Sequence, residues 1–316
     1  MKTAEFVSPK HPDKLCDRVS DSLLDKFLTK DINSRCAIEV CGGHSTVFVT
    51  GEVTSRFVMP DREIEKITKD ITGADKVIIH LNSQSPEISR GVDNGGAGDQ
   101  GIMIGYACNE NEQMVPQEYY LARLLNKTVF SLYNFDGKTQ VTLHDKSVRV
   151  VCSFQNAKSR YLEEICKDFF GERGYLIESL HCNPAGDWNI GGLKADAGLT
   201  GRKLAVDNYG PSIPIGGGAF SGKDATKVDR SGAYMARRIA VDYLQKYNAK
   251  NVYVTLSYAI GYDQPLQATA NLDGKIVEIK DYDLSPNGII DFLDLKKPIF
   301  SETSKWGHMG NNFNWK

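Results

Sequence analysis

The sequence predicts an α+β protein built of mixed or antiparallel sheets, with helices on one face of each sheet. Pairs of strand-like runs with two-residue periodicity alternate with helical runs whose apolar residues recur at three- and four-residue spacing. A similar order of elements returns in each third of the 316-residue chain, without a repeat at the level of sequence. Strand pairs between helices favour mixed or antiparallel sheets over a doubly wound parallel sheet.

The first third opens with an amphipathic helix that has Pro12 at its expected first position. Its predicted elements are a helix at 13–30, strands at 36–41 and 45–53, a helix at 60–72 and a strand at 76–81. A glycine-rich stretch from Gln84 to Gly101 follows and is too long for a simple connection. Such stretches are typical of lids and binding loops, and a flexible domain linker is an equal alternative.

The other two thirds repeat the mixture of helices and strands. The predicted elements are a helix at 117–132, strands at 140–143 and 147–153 and a helix at 158–170, then a helix at 226–246, strands at 251–258 and 265–271 and a helix at 288–294. We expect three domains, at 1–95, 96–189 and 190–316. The lid at 84–95 belongs to the first domain, and a phosphate-binding loop belongs to the last.

Composition and charge exclude several classes of protein. The formal net charge of −2 provides no global field to attract nucleic acid or a membrane surface. The N-terminus has no apolar signal-peptide core, and no apolar run reaches transmembrane length. The seven cysteines are odd in number and contain no C-x-x-C pair, which is typical of reduced thiols. We therefore expect a cytoplasmic protein with neither nucleic-acid nor membrane partners.

The loop Gly216–Asp224 is composed to bring backbone N–H groups against a polyanion. The spacing from Gly217 through Gly222 to Lys223 nearly fits the nucleotide-binding P-loop. Asp224, however, occupies the position of the Ser or Thr whose hydroxyl binds Mg²⁺ in that motif. The loop therefore favours phosphate binding by a route other than that of the usual NTPase. A solvated surface loop is the open alternative.

Charged residues collect in the turns between the predicted elements. The cations are Lys14, Lys138, Arg202, Lys203, Lys223 and Lys227, and the carboxylates are Asp13, Asp99, Asp136, Asp196 and Asp229. Basic side chains neutralise phosphate oxygens, and hard carboxylates hold Mg²⁺. The set therefore suits a magnesium-bound triphosphate, if the fold brings its members together. Lys223 and Lys227 are four residues apart and could share one helix face.

Several motifs point to one family. They are HPDK at 11–14 followed by Asp17 and Asp21, GAGDQG at 96–101, GLTGRK at 198–203, and GGGAFSGKDATKVDRS at 216–231. With them the chain resembles the S-adenosylmethionine synthetase (methionine adenosyltransferase) family, from about residue 5 to the C-terminus. The resemblance implies three similar domains in a pseudo-threefold arrangement. It also implies a homodimer or dimer of dimers with active sites between subunits.

The activity implied by the resemblance is transfer of adenosyl from ATP to L-methionine. Methionine sulfur attacks C5′, and the tripolyphosphate leaves whole before its hydrolysis to phosphate and diphosphate. The implied catalytic residues are His11, Lys138, Arg202, Lys203, Lys223 and Lys227. The implied ATP-binding residues are His11, Asp99, Asp136, Gly137, Lys138, Trp188, Asp196, Arg202, Lys203, Ala219 and Lys223.

The resemblance further implies a methionine site and bound metals. Methionine contacts are expected from Glu52, Gln84, Asp196 and Lys227. Two Mg²⁺ ions are expected, with Asp13 and Asp229 as ligands, and K⁺ is expected at Glu39. The segment from Gln84 to about Gly95 would be the gating lid.

The chain also departs from the family pattern. Lys10 stands where the family has glycine, and Asp187-Trp188 replaces the usual Arg-Phe beside the nucleotide. Two alternatives to the synthetase therefore stay open at this point. One is a non-catalytic subunit that binds ATP or S-adenosylmethionine, which Lys10 and Asp187 motivate. The other is a Walker-like NTPase, which rests on the glycine-rich loop alone.

Overall fold

Three four-stranded sheets organise the protein in the computed structural model, which describes residues 1–83 and 95–316. The helices are α1 (Pro12–Lys30), α2 (Asp61–Thr72), α3 (Gln117–Tyr133), α4 (Ser159–Gly171), α5 (Leu204–Asp207), α6 (Val228–Tyr247), α7 (Pro286–Leu293) and α8 (Phe300–Thr303), with a 3₁₀ turn at Gly192–Lys194. The strands are β1 (Lys2–Val7), β2 (Arg35–Gly43), β3 (Thr46–Thr54), β4 (Lys76–Asn82), β5 (Gly101–Cys108), β6 (Gly137–His144), β7 (Ser147–Phe154), β8 (Leu176–Cys182), β9 (Gly198–Leu199), β10 (Asn251–Tyr258), β11 (Gln267–Leu272) and β12 (Lys275–Glu278).

The three sheets are built on the same plan. Their strand orders are β9-β2-β3-β4, β1-β6-β7-β8 and β5-β10-β11-β12. In each sheet a long helix, α1, α3 or α6, leads into the antiparallel hairpin at the centre. In the first two sheets, α2 or α4 then connects to a parallel outer strand, whereas β12 pairs antiparallel in the third. The predicted α+β class with mixed sheets is confirmed.

The other outer strand of each sheet comes from a distant part of the chain. β9 completes the sheet of the first third, β1 that of the second and β5 that of the last, and all three pair antiparallel. Each third of the chain thus contributes one outer strand to the sheet of another third. The sequence predicted none of these three strands, because their partners lie far away in the chain. The contiguous domain limits at 1–95, 96–189 and 190–316 stay a prediction.

The long helices pack tightly against the sheets. A Cβ added to Gly105 of β5 would lie 2.0 Å from the carbonyl oxygen of Ala236 in α6, so only glycine permits this approach. The apolar face of α1, which includes Leu23 and Leu24, is fully buried. Within the residues that the structure describes, no helix combines the length and the apolar character needed to cross a bilayer.

Candidate active site

The start of α1 is held by the segment that begins at Gly198. His11 caps the helix, and its Nδ1 accepts a hydrogen bond from the backbone N–H of Asp13 at 3.2 Å. The buried Asp13 carboxylate accepts the N–H of Leu199 at 3.0 Å. A Cβ at Gly198 would lie 2.3 Å from the carbonyl of Pro12, which explains the glycine in this contact. Strand β9 and the HPDK turn therefore form one unit.

Several predicted site residues come together around this helix start. The Lys203 ammonium pairs with the Asp13 carboxylate. Burial lowers the pKa of His11 to about 4, the positive charges of Lys203 and Lys138 act in the same direction, and the carboxylates of Asp13 and Asp196 oppose them. His11 is therefore neutral at physiological pH. Because its Nδ1 accepts a hydrogen bond, the ring proton of the neutral imidazole lies on Nε2.

Asp136 lies beside the same group of charges. Burial raises the pKa of Asp136 to about 6, although the N–H groups of Gly192 and Gly137 stabilise its carboxylate. The hydrogen bond from the Gly192 N–H to Asp136 Oδ2 is 2.9 Å long. Lys138, one residue beyond Gly137 on β6, pairs with Glu5 at 2.6 Å. The predicted nucleotide residues Asp136 and Lys138 are thus brought to the His11 group.

A cavity of about 520 Å³ opens next to these residues. Its walls include Lys10, Asp136, Gln155 and Gly191. Trp188 lies against one wall, because a Cβ at Gly191 would come within 2.7 Å of the indole ring. The size of this cavity suits a small organic ligand.

The glycine-rich loop is pressed against β2 and β5. Gly222 has a φ of +82°, and a Cβ there would lie 1.9 Å from the carbonyl oxygen of Ile38. A Cβ at Gly216 would lie 1.7 Å from the carbonyl oxygen of Ile102. A Cβ at Gly218 would lie 2.3 Å from the carboxylate oxygen Oδ1 of Asp229. These glycines therefore permit close packing within the protein as well as any approach of a ligand.

Asp224, the residue that breaks the P-loop pattern, has a structural role. Its buried carboxylate accepts the N–H of Cys36 at 2.7 Å and that of Thr226 at 2.9 Å. It also pairs with the Lys227 ammonium at 2.7 Å. Asp224 thus fastens the loop to β2 and orders the turn before α6.

The lysines of this loop differ from the sequence expectation. Helix α6 begins at Val228, so Lys223 and Lys227 both precede it and do not share a helix face. Lys223 instead pairs with Asp229, in the first turn of α6, at 2.6 Å. Glu39 faces this pair from β2. Desolvation raises the pKa of Glu39, and the nearby Lys223 ammonium offsets only part of this rise.

Four aspartates at four-residue spacing along α1 bind backbone N–H groups of distant segments, and we call them the aspartate ladder. Asp13 accepts from Leu199, Asp17 from Gly201 at 2.8 Å, Asp21 from Gly222 at 2.8 Å, and Asp25 from Phe300 and Ser301 at 2.9 and 2.8 Å. Residues four apart lie on one helix face. One face of α1 therefore fixes both loops that carry the predicted phosphate ligands.

Buried cations complete the ladder. Arg230 binds Asp21 through two hydrogen bonds of 2.7 and 2.9 Å and donates to the carbonyl of Lys223 at 3.0 Å. Lys14 is fully buried between Asp17, at 2.9 Å, and Asp207, at 2.5 Å. Lys14, which the sequence grouped with the phosphate cations, is therefore structural. The ion pairs that Lys14 and Arg230 make with these aspartates were not predicted from the sequence, although the aspartate spacing was a visible signal.

Other predicted residues are more exposed than the buried groups around His11. Glu52 is half-buried on β3, whereas Asp99, Asp196 and Arg202 are exposed. Ala219 lies in the glycine-rich loop, and a Cβ at Gly201 would come within 2.5 Å of its side chain. The predicted methionine residue Gln84 and the lid at 84–95 fall outside the described residues, apart from residue 95.

Mg²⁺ fits this arrangement only with help from a substrate. In the described ranges, no group of three or more His, Cys, Asp or Glu side chains is placed to hold a metal ion. Asp13 and Asp229 each stand as a single carboxylate beside a lysine. Mg²⁺ commonly binds one or two carboxylates and completes its shell with water and phosphate oxygens. Each aspartate can therefore contribute one ligand to such an ion.

Comparisons with known proteins point to one family. Models of the S-adenosylmethionine synthetase N-terminal, central and C-terminal domains match residues 1–93, 94–170 and 190–316. The S-adenosylmethionine synthase of Pelagibacter ubique (strain HTCC1062) is 39% identical over 99% of this chain and 95% of that protein. The chain belongs to the S-adenosylmethionine synthetase family. The prediction drawn from the motifs is confirmed.

A solved structure of this family has the same fold. The chain is similar to an unusual S-adenosylmethionine synthetase from Campylobacter jejuni, with 31% identity and a TM-score of 0.89. The match covers 99% of this chain and 96% of that one. The alignment with the Pelagibacter synthase spans 372 positions, against 316 residues here, so that synthase has residues this chain lacks.

Proposed function

We propose that this chain is a methionine adenosyltransferase that forms S-adenosylmethionine from ATP and L-methionine. The observation that carries the proposal is the aspartate ladder. It ties the Asp13–Lys203 group and the loop with Lys223 to one helix, so that cations from distant segments are fixed in place. Family membership supports the same activity. A cytoplasmic location remains part of the proposal.

In the proposed reaction, the methionine sulfur forms a bond to C5′ of ATP. The C5′–O5′ bond breaks, and its electron pair leaves on the tripolyphosphate. Tripolyphosphate leaves readily only when its developing charge is neutralised, and fixed cations supply this without reorganisation. We assign that task to Lys138, Arg202, Lys203, Lys223 and Lys227. Alignment of sulfur, C5′ and O5′ can contribute about 7–11 kcal/mol more.

His11 is proposed to stabilise the departing oxygen. Its neutral imidazole carries the ring proton on Nε2, because the Asp13 N–H occupies Nδ1. Nε2–H can therefore donate a hydrogen bond to O5′ as charge develops there. The nucleotide itself would contact Asp99, Asp136, Gly137, Trp188, Asp196 and Ala219. Burial of Asp136 and its bonds to glycine N–H groups support a fixed position for that contact.

Mg²⁺ and K⁺ belong to the proposal as ligand-dependent cofactors. Asp13 and Asp229 would each provide a carboxylate for one of two Mg²⁺ ions, and Glu39 would bind K⁺. When bound, Mg²⁺ neutralises phosphate oxygens. The lysines now paired with Asp13 and Asp229 would then be released to the tripolyphosphate. Glu52, Gln84, Asp196 and Lys227 are proposed to bind methionine.

The open face of the first sheet supports an assembly of two or more copies. Leu199, Cys41, Phe48 and Ile78 are register partners across four strands, and all four are exposed. A continuous exposed apolar row is typical of a surface that another chain covers. Glu39 and Glu52 lie on the same face by strand alternation. We propose a homodimer, or a dimer of dimers, with active sites between subunits.

The proposal is tested by product analysis with purified protein, ATP, methionine, Mg²⁺ and K⁺. S-adenosylmethionine should form together with phosphate and diphosphate. Formation of ADP and phosphate would overturn the proposal in favour of an NTPase. Tight nucleotide binding without turnover would overturn it in favour of a non-catalytic subunit. The NTPase is already disfavoured, because Asp224 stands where the P-loop has its Mg²⁺-binding Ser or Thr. Its carboxylate instead accepts hydrogen bonds from Cys36 and Thr226 and pairs with Lys227.

A further inference from the structure

We propose that Asn82 extends the methionine site and that His80 positions it, an inference that rests on the proposed function. Strands β3 and β4 are parallel and in register, so that Glu52 is the partner of Asn82 and Thr50 is the partner of His80. Register partners on adjacent strands project their side chains from the same face. Asn82 therefore stands beside Glu52, which is proposed to bind methionine and whose carboxylate suits the ammonium group of that substrate.

The hydrogen bond between the two side chains determines what Asn82 can offer. Asn82 Nδ2 lies 3.2 Å from His80 Nε2. An amide nitrogen can only donate, so His80 Nε2 accepts, and the ring proton of the neutral imidazole lies on Nδ1. Within the residues that the structure describes, no hydrogen bond is seen to the Asn82 carbonyl oxygen, which can therefore act as an acceptor for a ligand. An ammonium group has three donors, and the Glu52 carboxylate together with Asn82 Oδ1 satisfies two of them.

Gly51 fixes the backbone at this position. Its φ is +131°, and a Cβ there would lie 2.0 Å from the carbonyl oxygen of Ala37 on β2. Strand β3 is therefore pressed against β2 immediately before Glu52. This rigid sheet holds both acceptors, Glu52 and Asn82, at a spacing set by adjacent strands, about 4.7–4.9 Å. The geometry fits the primary ammonium of an α-amino acid substrate.

The first experiment compares steady-state kinetics of three variants with the wild type. Asn82→Ala removes the acceptor and should raise the KM for methionine about tenfold, the size expected for one hydrogen bond to a charged group. Asn82→Asp keeps an acceptor and should leave that KM near the wild-type value. His80→Ala should raise it by less, because the amide survives but loses its orientation. The KM for ATP should stay within about twofold in all three.

A matched control and a substrate analogue separate recognition from a general effect on folding. His144→Ala replaces another exposed histidine, at the end of β6, and should change neither KM. The desamino analogue 4-(methylthio)butanoate lacks the ammonium group. Its inhibition constant against methionine should be the same for the wild type and Asn82→Ala.

Three outcomes would overturn the inference. They are an unchanged KM for methionine in Asn82→Ala, an equal rise in the KM for ATP, and equally weakened binding of the desamino analogue. Absence of S-adenosylmethionine formation by the wild type is a different result. It would overturn the proposed function itself, and the inference with it.

Discussion

Asp187 is a residue whose role depends on neighbours that the sequence does not reveal. In sequence it replaces a basic residue beside the nucleotide. In the structure its carboxylate accepts the N–H and the hydroxyl of Ser159 at 2.9 and 2.6 Å, where α4 begins. These hydrogen bonds, together with one from Asn183, lower the pKa of Asp187. Asp187 thus acts as a helix cap, and its negative charge is used within the protein.

We predict that Asp187→Ala lowers the melting temperature and changes the KM for ATP by less than about twofold. Because its pKa is lowered by folding, Asp187 contributes to the free energy of unfolding above the carboxylate's unfolded pKa of 3.8. That contribution is lost as the pH falls through the folded pKa. The difference in melting temperature between wild type and variant should therefore be larger at pH 7 than at pH 3. A large rise in the KM for ATP, with no change in melting temperature, would contradict the helix-cap role.

His11 should make the folded protein less stable in acid. Its pKa is about 4 in the folded state and about 6.5 when unfolded, so the unfolded chain binds more protons between these values. The contribution of His11 to the free energy of unfolding therefore rises with pH from about 4 to 6.5 and is constant above. Urea unfolding across this range should show a weaker pH dependence for His11→Asn than for the wild type. Equal slopes would contradict a depressed pKa.

Helix α1 shows how one element can organise residues from the whole chain. Its buried apolar face packs in the core, while its aspartate ladder binds the segments at 199–201, 222 and 300–301. Burial of Asp17 and Asp207 raises the pKa of each carboxyl, and the Lys14 ammonium between them opposes the rise. The charge on Lys14 therefore offsets part of the cost of burying the two carboxyl groups.

We predict that Asp17→Ala both destabilises the fold and slows synthesis. The variant leaves Lys14 with one partner fewer and the Gly201 N–H unpaired, and breaking a buried pair costs about 3–5 kcal/mol. The rate should fall because the loop with Lys203 is no longer fixed. Asp17→Asn keeps the acceptor for Gly201 and should recover part of the rate.

The control for this prediction lies on the same helix. Lys26→Ala removes a surface pair with Glu63 at 2.6 Å, which is worth about 0–1 kcal/mol. Denaturant unfolding and single-turnover synthesis should show little change in Lys26→Ala. If Asp17→Ala behaved like Lys26→Ala, the ladder would have no positioning role.

Local patterns were enough to predict the six longer helices and the central hairpins, whereas the four-residue helices α5 and α8 were missed. The helix predicted at 13–30 is observed at Pro12–Lys30, and that at 117–132 at Gln117–Tyr133. The outer strands β1, β5 and β9 were missed, as were β8 and β12. An outer strand is stabilised by its partner, and Lys2–Val7 pairs with residues 138–143. A short window of sequence does not contain the partner strand, so its pattern cannot indicate such pairing.

The candidate site was predicted by residue type, but not by contact. The motifs identified the lysines and aspartates, whereas only the fold shows that Lys223 pairs with Asp229 and Lys227 with Asp224. The ladder positions Asp13 and Asp21 are eight residues apart, about 12 Å along the helix axis. The contacts of His11 gather at one end of this span, and those of Lys223 at the other.

At the scale of the whole molecule, this separation leads to a test for sites shared between subunits. If each site combines His11 of one copy with Lys223 of another, His11→Asn and Lys223→Ala inactivate different halves of it. Each variant alone should lose about 10²–10³-fold in synthesis rate. After mixing and subunit exchange, half of the dimers are mixed, and each holds one intact site. Activity should then recover to about a quarter of the wild-type value, as expected for a twofold-symmetric pair.

The control for this test is Phe48→Asp, on the open face of the first sheet. Introduced into both variants, it should abolish the recovery because it prevents pairing, and size-exclusion chromatography should then show a monomer. No recovery from a mixture proven to exchange subunits would place each site within one chain.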